Sequence, residues 1–121
     1  MRYVYYNVDG FNCVLRSLSK ILNKDIKAVK DELIEVCNEL NKNDYNSVEV
    51  FEEYMRRNNI YEINNKKDIK IKDLSLDSSK YIVFCYDKKD FYHMVAIIDN
   101  VVYDKSDKSL DLYVIKAYKK N

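Results

Sequence analysis

The fold of this 121-residue chain is decided by residues 81–104, which read YIVFCYDKKDFYHMVAIIDNVVYD. The first six residues are a continuous apolar run, which is typical of a central strand. A charged turn leads into a second apolar run, FYHMVAII. Asp99 and Asn100 tolerate positive φ, so they predict a tight hairpin turn into a short return strand. The stretch therefore predicts three consecutive antiparallel strands, at 81–86, 91–98 and 101–103.

Further strands are predicted on both sides of this stretch. Short apolar runs at 60–63 and 112–117 indicate one strand each. Ile69 and Ile71 alternate with lysines, as on an edge strand with one solvated face. The sheet half of the chain therefore spans about 60–118.

The first half of the chain has helical periodicity instead. Apolar residues recur at three- and four-residue steps in three segments, at 13–22, at 25–40 and after Asn46. Asn12 is placed as the N-cap of the first segment, and Asn46 stands three residues before Glu49 in a capping-box arrangement. Helices over about 12–58 followed by strands predict an α+β fold, with N-terminal helices packed on an antiparallel β-sheet.

Length and composition limit the class of protein. The chain of 14.5 kDa fits a single domain over residues 1–121. Hydrophobic residues make up 47% and charged residues 34%, which argues against a disordered chain. The 21 basic and 20 acidic residues give a net charge of +1, without the basic field of a duplex-DNA binder.

The sequence also bears on the compartment and on cofactors. No apolar run is long enough for a membrane helix, and the N-terminus has no apolar signal core. Three widely separated cysteines form no disulfide framework, which fits a reducing cytoplasm. With one histidine, a zinc site would need all the thiols or added carboxylates. We therefore expect a cytoplasmic protein without metal, cofactor or membrane contact.

Cys13 lies just inside the predicted start of the first helix. The unpaired backbone N–H groups and the helix dipole at that position favour a thiolate, and they can stabilise a developing oxyanion. The alternative is a small buried thiol that only packs, which is our interpretation of Cys37 and Cys85 on apolar stripes. Arg16, one turn later, is expected in an ion pair rather than in direct catalysis.

His93 is the only histidine, so any histidine-based mechanism must use it. It shares a strand face with core aliphatic residues, where a purely structural role is the alternative. Counting outward from the hairpin turn pairs Val95 with Asp104, which places Asp104 diagonally across from His93. The Asp104 carboxylate could then fix the imidazole tautomer, or it could be a solvated acid. Asp107 is the alternative orienting residue.

Asn7 lies six residues before Cys13. Its amide could complete an oxyanion hole with the Cys13 backbone N–H, although an ordinary loop asparagine is the simpler interpretation on spacing alone. In chain order the candidates are an amide, a cysteine at a helix start, a histidine on a strand and an acid one hairpin later. These are the groups of Cys–His–acid catalysis.

Three stretches carry a resemblance to a known family: NCVLRSL at 12–18, HMVAI at 93–97 and VYD at 102–104. The chain resembles the small papain-like cysteine peptidase domains, particularly the short ones encoded in phage and prophage genomes. The resemblance implies a minimal papain-like fold with Cys13 as nucleophile and His93 as general base and acid. It further implies that Asp104 orients the imidazole. Asn7 then stands where the family has an oxyanion-hole Gln.

These observations leave three functions open. The first is a cysteine hydrolase, most simply a peptidase that attacks a protein or peptide substrate with the Cys13 thiolate, in the host-cell cytoplasm if the chain is phage-encoded. The second is a binding protein of the same fold, with weak or no catalysis, that inhibits or modulates a host protein. Its tyrosine-rich N-terminus, with Tyr3, Tyr5 and Tyr6, would then belong to a partner-binding patch. Single-stranded nucleic-acid binding by the basic-aromatic tail at 116–120 is disfavoured by the near-zero net charge.

Overall fold

The chain folds into three helices and six strands, and the computed structural model describes all of residues 1–121. Strand β1 spans Arg2–Tyr5 and precedes the helices, which are α1 at Cys13–Leu22, α2 at Ile26–Glu39 and α3 at Val48–Arg57. The remaining strands are β2 at Ile60–Ile63, β3 at Lys80–Tyr86, β4 at Tyr92–Ile98, β5 at Val101–Asp104 and β6 at Tyr113–Lys120. Short 3₁₀ helices occupy Ile71–Asp73 and Asp107–Asp111.

The six strands form one sheet in the order β1-β5-β4-β3-β6-β2. The α+β class is confirmed, but the wholly antiparallel sheet is wrong, because β1 runs parallel to β5 at one edge. The pairing is extended by the Tyr6 N–H, which donates to the Asp104 carbonyl oxygen at 2.8 Å. A parallel neighbour needs a long crossover connection, and here that connection contains all three helices. Local pattern therefore could not identify β1 as part of the sheet.

The pairing of strands β3, β4 and β5 agrees with the hairpin turn predicted at Asp99 and Asn100. Strand β3 pairs with β4 along its whole length, and β4 pairs with β5 through a hairpin in which Ile98 lies opposite Val101. Asp99 and Asn100 adopt φ values of 52° and 59°. These positive values are those of a primed hairpin turn, so the predicted register is confirmed.

Two local predictions are wrong. Ile69 and Ile71 do not form an edge strand: only a single bridge joins Lys70 to Tyr113, and Ile71 begins a 3₁₀ helix. Ile71 is fully buried, so its apolar character anchors a loop against the sheet. The capping box of α3 is also absent. Ser47 is the N-cap residue, and the side-chain oxygen of Asn46 instead accepts from the Asn12 amide at 3.1 Å.

The helices cover one face of the sheet. Helix α1 packs along β4, and the larger apolar cluster joins all three helices to Ile82, Met94 and Ala96 of the central strands. The second cluster lies around the alternate residues of the same strands, including Cys85 and Val95. Because α1 crosses directly over β4, the start of the helix comes close to the start of the strand that carries His93.

A buried hydrogen bond fixes α1 on β4. The Ser17 hydroxyl donates to the Met94 carbonyl oxygen at 3.0 Å, and Ser17 is only 4% exposed. We expect Ser17→Ala to lower the free energy of unfolding by about 1 kcal/mol, since it removes one neutral buried hydrogen bond. Urea denaturation measures this change, with exposed Ser75→Ala as the control. Equal midpoints for the two variants would contradict the prediction.

Candidate active site

Cys13 is the first residue of α1. The preceding residue, Asn12, caps the helix, because its side-chain oxygen accepts from the Leu15 backbone N–H at 3.0 Å. The backbone N–H groups of Cys13 and Val14 have no hydrogen-bond partner within the protein. Free N–H groups in the first turn are positioned to bind negative charge. The helix start therefore combines a thiol with two unpaired N–H groups.

The His93 imidazole lies beside the Cys13 thiol. Interactions with the imidazole and with the Met94 backbone both lower the pKa of the Cys13 thiol, so the three groups are neighbours. His93 is 7% exposed, so the interaction is largely shielded from water. The Ser17–Met94 hydrogen bond, one turn along α1, holds the helix and the strand in this alignment. A thiol from the first helix and the single histidine are thus brought into contact.

Asp104 holds the far side of the imidazole. Its Oδ2 lies 2.8 Å from His93 Nε2, and the aspartate is 3% exposed. Because Nε2 is engaged by the carboxylate, Nδ1 is the ring nitrogen left to face the thiol. Asp107 is exposed at the start of a 3₁₀ helix and makes no hydrogen bond to His93. Of the two acids considered from the sequence, Asp104 is the one that contacts the imidazole.

The electrostatics of the pair favour charge separation. Burial raises the pKa of the Cys13 thiol, but hydrogen bonding and charge from His93, with help from Met94 and Arg16, outweigh it and hold the pKa below its ordinary value. Burial lowers the pKa of His93, but hydrogen bonds to Asp104 and Cys13 outweigh it and raise the pKa to about 9. Both shifts act in the direction of a thiolate next to an imidazolium.

Cys85 is a second cysteine close to His93, but it lacks the interactions that lower the pKa of Cys13. It lies on β3 directly opposite His93, is fully buried, and donates to the His93 carbonyl oxygen at 3.4 Å. Burial raises the pKa of Cys85, with the nearby charge of Asp104 acting in the same direction. Cys85 is therefore a protonated packing residue at neutral pH, and the activation is specific to Cys13.

Arg16 extends the buried polar network beyond Asp104. The sequence predicted an ion pair for this residue but did not identify its partner. One turn after Cys13, it is 5% exposed, and its Nη1 donates to the Phe11 carbonyl oxygen at 2.8 Å. Its Nη2 lies 3.7 Å from Asp104 Oδ1, the carboxylate oxygen that does not face His93. The expected ion pair thus has Asp104 as its partner. The guanidinium places a compensating positive charge beside this buried carboxylate.

The N-terminal strand supports Asp104 from the other side. The Tyr3 hydroxyl donates to the Asp104 carbonyl oxygen at 2.9 Å, and the Tyr6 N–H donates to the same oxygen. Tyr3 is half-buried in this role. No local signal reveals this contact, because its two residues lie near opposite ends of the chain.

Asn7 is not brought to the thiol. Its amide nitrogen donates to the Asp9 carboxylate at 3.0 Å in the loop before α1, and no hydrogen bond joins it to Cys13. Asparagine readily makes such short-range contacts within a turn. Of the four residues that the sequence analysis selects, the structure therefore gathers Cys13, His93 and Asp104 and leaves Asn7 in the loop.

A cavity of about 250 Å³ adjoins the imidazole and the Asp104 carboxylate. Phe91, which is 51% exposed, stacks on the His93 ring with a centroid separation of 5.5 Å and an angle of 25°. The same aromatic ring forms part of the cavity wall. The imidazole is thus held by an ion pair at its edge and by an aromatic ring on one face.

No group of three or more histidine, cysteine or acidic side chains is placed to hold a metal ion. None of the helices combines the length and the apolar character required to cross a membrane.

Searches with family models, against curated proteins and against solved structures give no match to this chain.

Proposed function

We propose that this protein is a papain-like cysteine hydrolase, most simply a peptidase, with Cys13, His93 and Asp104 as its triad. One observation carries the proposal: the buried Asp104 carboxylate lies 2.8 Å from Nε2 of the single histidine, next to a thiol at a helix start whose pKa that histidine lowers. The opposed pKa shifts of the thiol and the imidazole are those that an activated thiolate requires. The papain-like fold is supported by the nucleophile helix packed against the strand that carries the base.

In this proposal, each step of amide hydrolysis is assigned to a group of the site. The Cys13 thiolate attacks the carbonyl carbon, and the N–H groups of Cys13 and Val14 stabilise the resulting oxyanion. The His93 imidazolium gives its proton to the leaving amine as the C–N bond breaks, which leaves an acyl-thioester and a neutral imidazole. That imidazole then takes a proton from the attacking water. Collapse of the second oxyanion releases the carboxylic acid and restores the thiolate–imidazolium pair.

Asp104 has a supporting role in this cycle. Its carboxylate accepts from Nε2 and so keeps Nδ1 towards the sulfur, and it stabilises the imidazolium in the resting state. Arg16 in turn holds the carboxylate from the other oxygen. The substrate is a protein or peptide, and the cytoplasm is the compartment in which the unpaired thiols would persist, that of the host cell if the chain is phage-encoded.

The activated thiol can be tested without knowledge of the substrate. At pH 6, we expect iodoacetamide to alkylate Cys13 on the order of 10–100-fold faster than free cysteine, because the lowered pKa leaves a larger fraction of the sulfur ionised than in a free thiol. Mass spectrometry of the digested protein measures the rate at each cysteine. Cys37 and Cys85 are buried and serve as internal controls. A Cys13 rate no higher than that of free cysteine would contradict the proposal.

A second function is favoured by one specific observation. The Asn7 amide is engaged by Asp9, so the site has no side-chain oxyanion donor from that loop. A catalytically weak protein of the same fold could then inhibit or modulate a host protein by binding alone. This alternative predicts that Cys13→Ala binds the same partner with unchanged affinity and that no substrate is cleaved. Loss of partner processing in Cys13→Ala would instead support the hydrolase.

A further inference from the structure

The cavity beside His93 lies on the side of the imidazole away from the start of α1. Its wall includes His93 and Asp104 but no residue of α1. In the proposed mechanism, the acyl carbon of the substrate bonds to Cys13 and its oxygen faces the N–H groups at the helix start. The leaving nitrogen must lie against His93 to receive its proton. The residue that carries this nitrogen therefore extends past the imidazole, towards the cavity.

The surface of this cavity is almost wholly apolar. Phe91 and Leu112 are its two hydrophobic residues, and the polar and charged residues of the wall contribute mainly carbon atoms. Such a surface offers no partner to a charged or hydrogen-bonding group, which would lose its water on entry. An apolar side chain is favoured instead, because its burial there removes apolar area of both partners from water.

Phe91 joins the apolar surface to the proton donor. Its ring stacks on the His93 ring with a centroid separation of 5.5 Å, and the same side chain forms part of the cavity wall. Phe91 is nevertheless 51% exposed, so a large aromatic side chain next to the active site has no complete cover within the protein. A substrate side chain that fills the cavity would cover it, and would do so directly beside the imidazole.

The size of the cavity suits a single side chain. Its volume of about 250 Å³ is below the roughly 300–1,000 Å³ of pockets that hold drug-sized ligands. An extended segment of several residues would not fit. The residue that reaches the cavity is therefore the one whose backbone nitrogen lies against His93, which is the first residue on the leaving side of the scissile bond.

We propose that this cavity binds the side chain of the first residue on the leaving side of the scissile bond and selects an apolar one. The inference rests on the proposed hydrolase function, because the leaving nitrogen at His93 determines which substrate residue reaches the cavity. The specificity is for peptide bonds that are followed by an aliphatic or aromatic residue. Charged and small polar residues at that position are disfavoured.

Matched peptides measure the selection. They share one sequence that the protein cleaves in unfolded casein and differ only in the residue after the scissile bond, which is leucine, serine or aspartate. We expect kcat/KM for the leucine peptide to exceed that for the serine peptide by about tenfold or more, because a few methyl and methylene groups have that effect in an apolar pocket. The aspartate peptide should be the poorest substrate. Equal kcat/KM for the leucine and serine peptides overturns the inference and leaves the hydrolase standing, whereas absence of any cleavage overturns both.

Substitutions in the wall assign the selection to this cavity. In Phe91→Ala and in Leu112→Ala, the ratio of kcat/KM for the leucine peptide to that for the serine peptide should fall about threefold or more, because apolar wall is lost. The ratio is the measurement because a displaced imidazole would slow both peptides alike. Tyr61→Ala is the matched control: it removes an exposed aromatic side chain of β2 outside the cavity and should leave the ratio unchanged. If Leu112→Ala does not fold, Phe91→Ala at its half-exposed position still decides. An unchanged ratio in the cavity variants overturns the inference.

Discussion

We expect His93→Gln to lower kcat/KM for the proposed peptide hydrolysis by about 10²–10⁴-fold, because it removes both the proton donor to the leaving amine and the proton acceptor for the attacking water. The chain has no second histidine that could substitute. Glutamine keeps a polar group next to Asp104 but cannot carry a positive charge. The thiol of Cys13 then loses its main stabilising partner and returns towards the protonated form.

We also expect His93→Gln to change the pH dependence of kcat/KM. In the proposed mechanism, the active ion pair exists above the lowered pKa of Cys13 and below the raised pKa of His93, which is about 9. The plot of kcat/KM against pH should therefore be bell-shaped, with its alkaline limb near pH 9. In His93→Gln that limb should disappear, and alkylation of Cys13 should rise with pH only as an ordinary thiol ionises.

The measurement uses a denatured protein substrate, since the natural one is unidentified. New termini released from unfolded casein are quantified by mass spectrometry for the parent, His93→Gln and Cys13→Ala. Asp107→Asn is the matched control, because this exposed acid makes no hydrogen bond to the imidazole. Equal hydrolysis by the parent and His93→Gln would rule out the triad, and equal hydrolysis by Cys13→Ala would trace the activity to a contaminant.

The sequence was sufficient where local chemistry determines structure. The bounds of α1 followed from apolar spacing and from Asn12 as cap, and the β4–β5 register followed from the preference of Asp99 and Asn100 for positive φ. That register also placed Asp104 within reach of His93, because a two-residue turn leaves little freedom in which residues face each other.

The sequence was insufficient where contacts join distant segments. The parallel β1–β5 pair has no local signature, since its strands are separated by all three helices. The spacing of Arg16 from Cys13 was visible, but its partner Asp104 depends on how α1 crosses the sheet. Asn7 is the opposite case, because a local contact determines its position. Its spacing from Cys13 suggested a contact with the thiol, but its amide donates to the carboxylate of Asp9, two residues away in sequence.

Arg16→Met is expected to lower the free energy of unfolding by about 3–5 kcal/mol, because it leaves the Asp104 carboxylate buried without its guanidinium partner. The whole stability of a domain is only about 5–15 kcal/mol, so this variant is a severe one. Arg16 also donates to the Phe11 carbonyl oxygen, and methionine cannot replace that hydrogen bond. The exposed Arg57→Met is the matched control and should change stability little, since its ion pairs lie in solvent.

The double variant Arg16→Met/Asp104→Asn separates the effect of the lost charge from the effect of the lost packing. If the loss in Arg16→Met comes from an uncompensated carboxylate, then adding Asp104→Asn should restore part of the stability, since both charges are gone. Urea denaturation of the two single variants and of the double variant gives the coupling energy directly. If Arg16→Met does not fold, Arg16→Lys keeps the charge without the planar fork and provides a milder comparison. Strictly additive losses would show that Arg16 stabilises the fold independently of Asp104, and the guanidinium would then have no part in orienting His93.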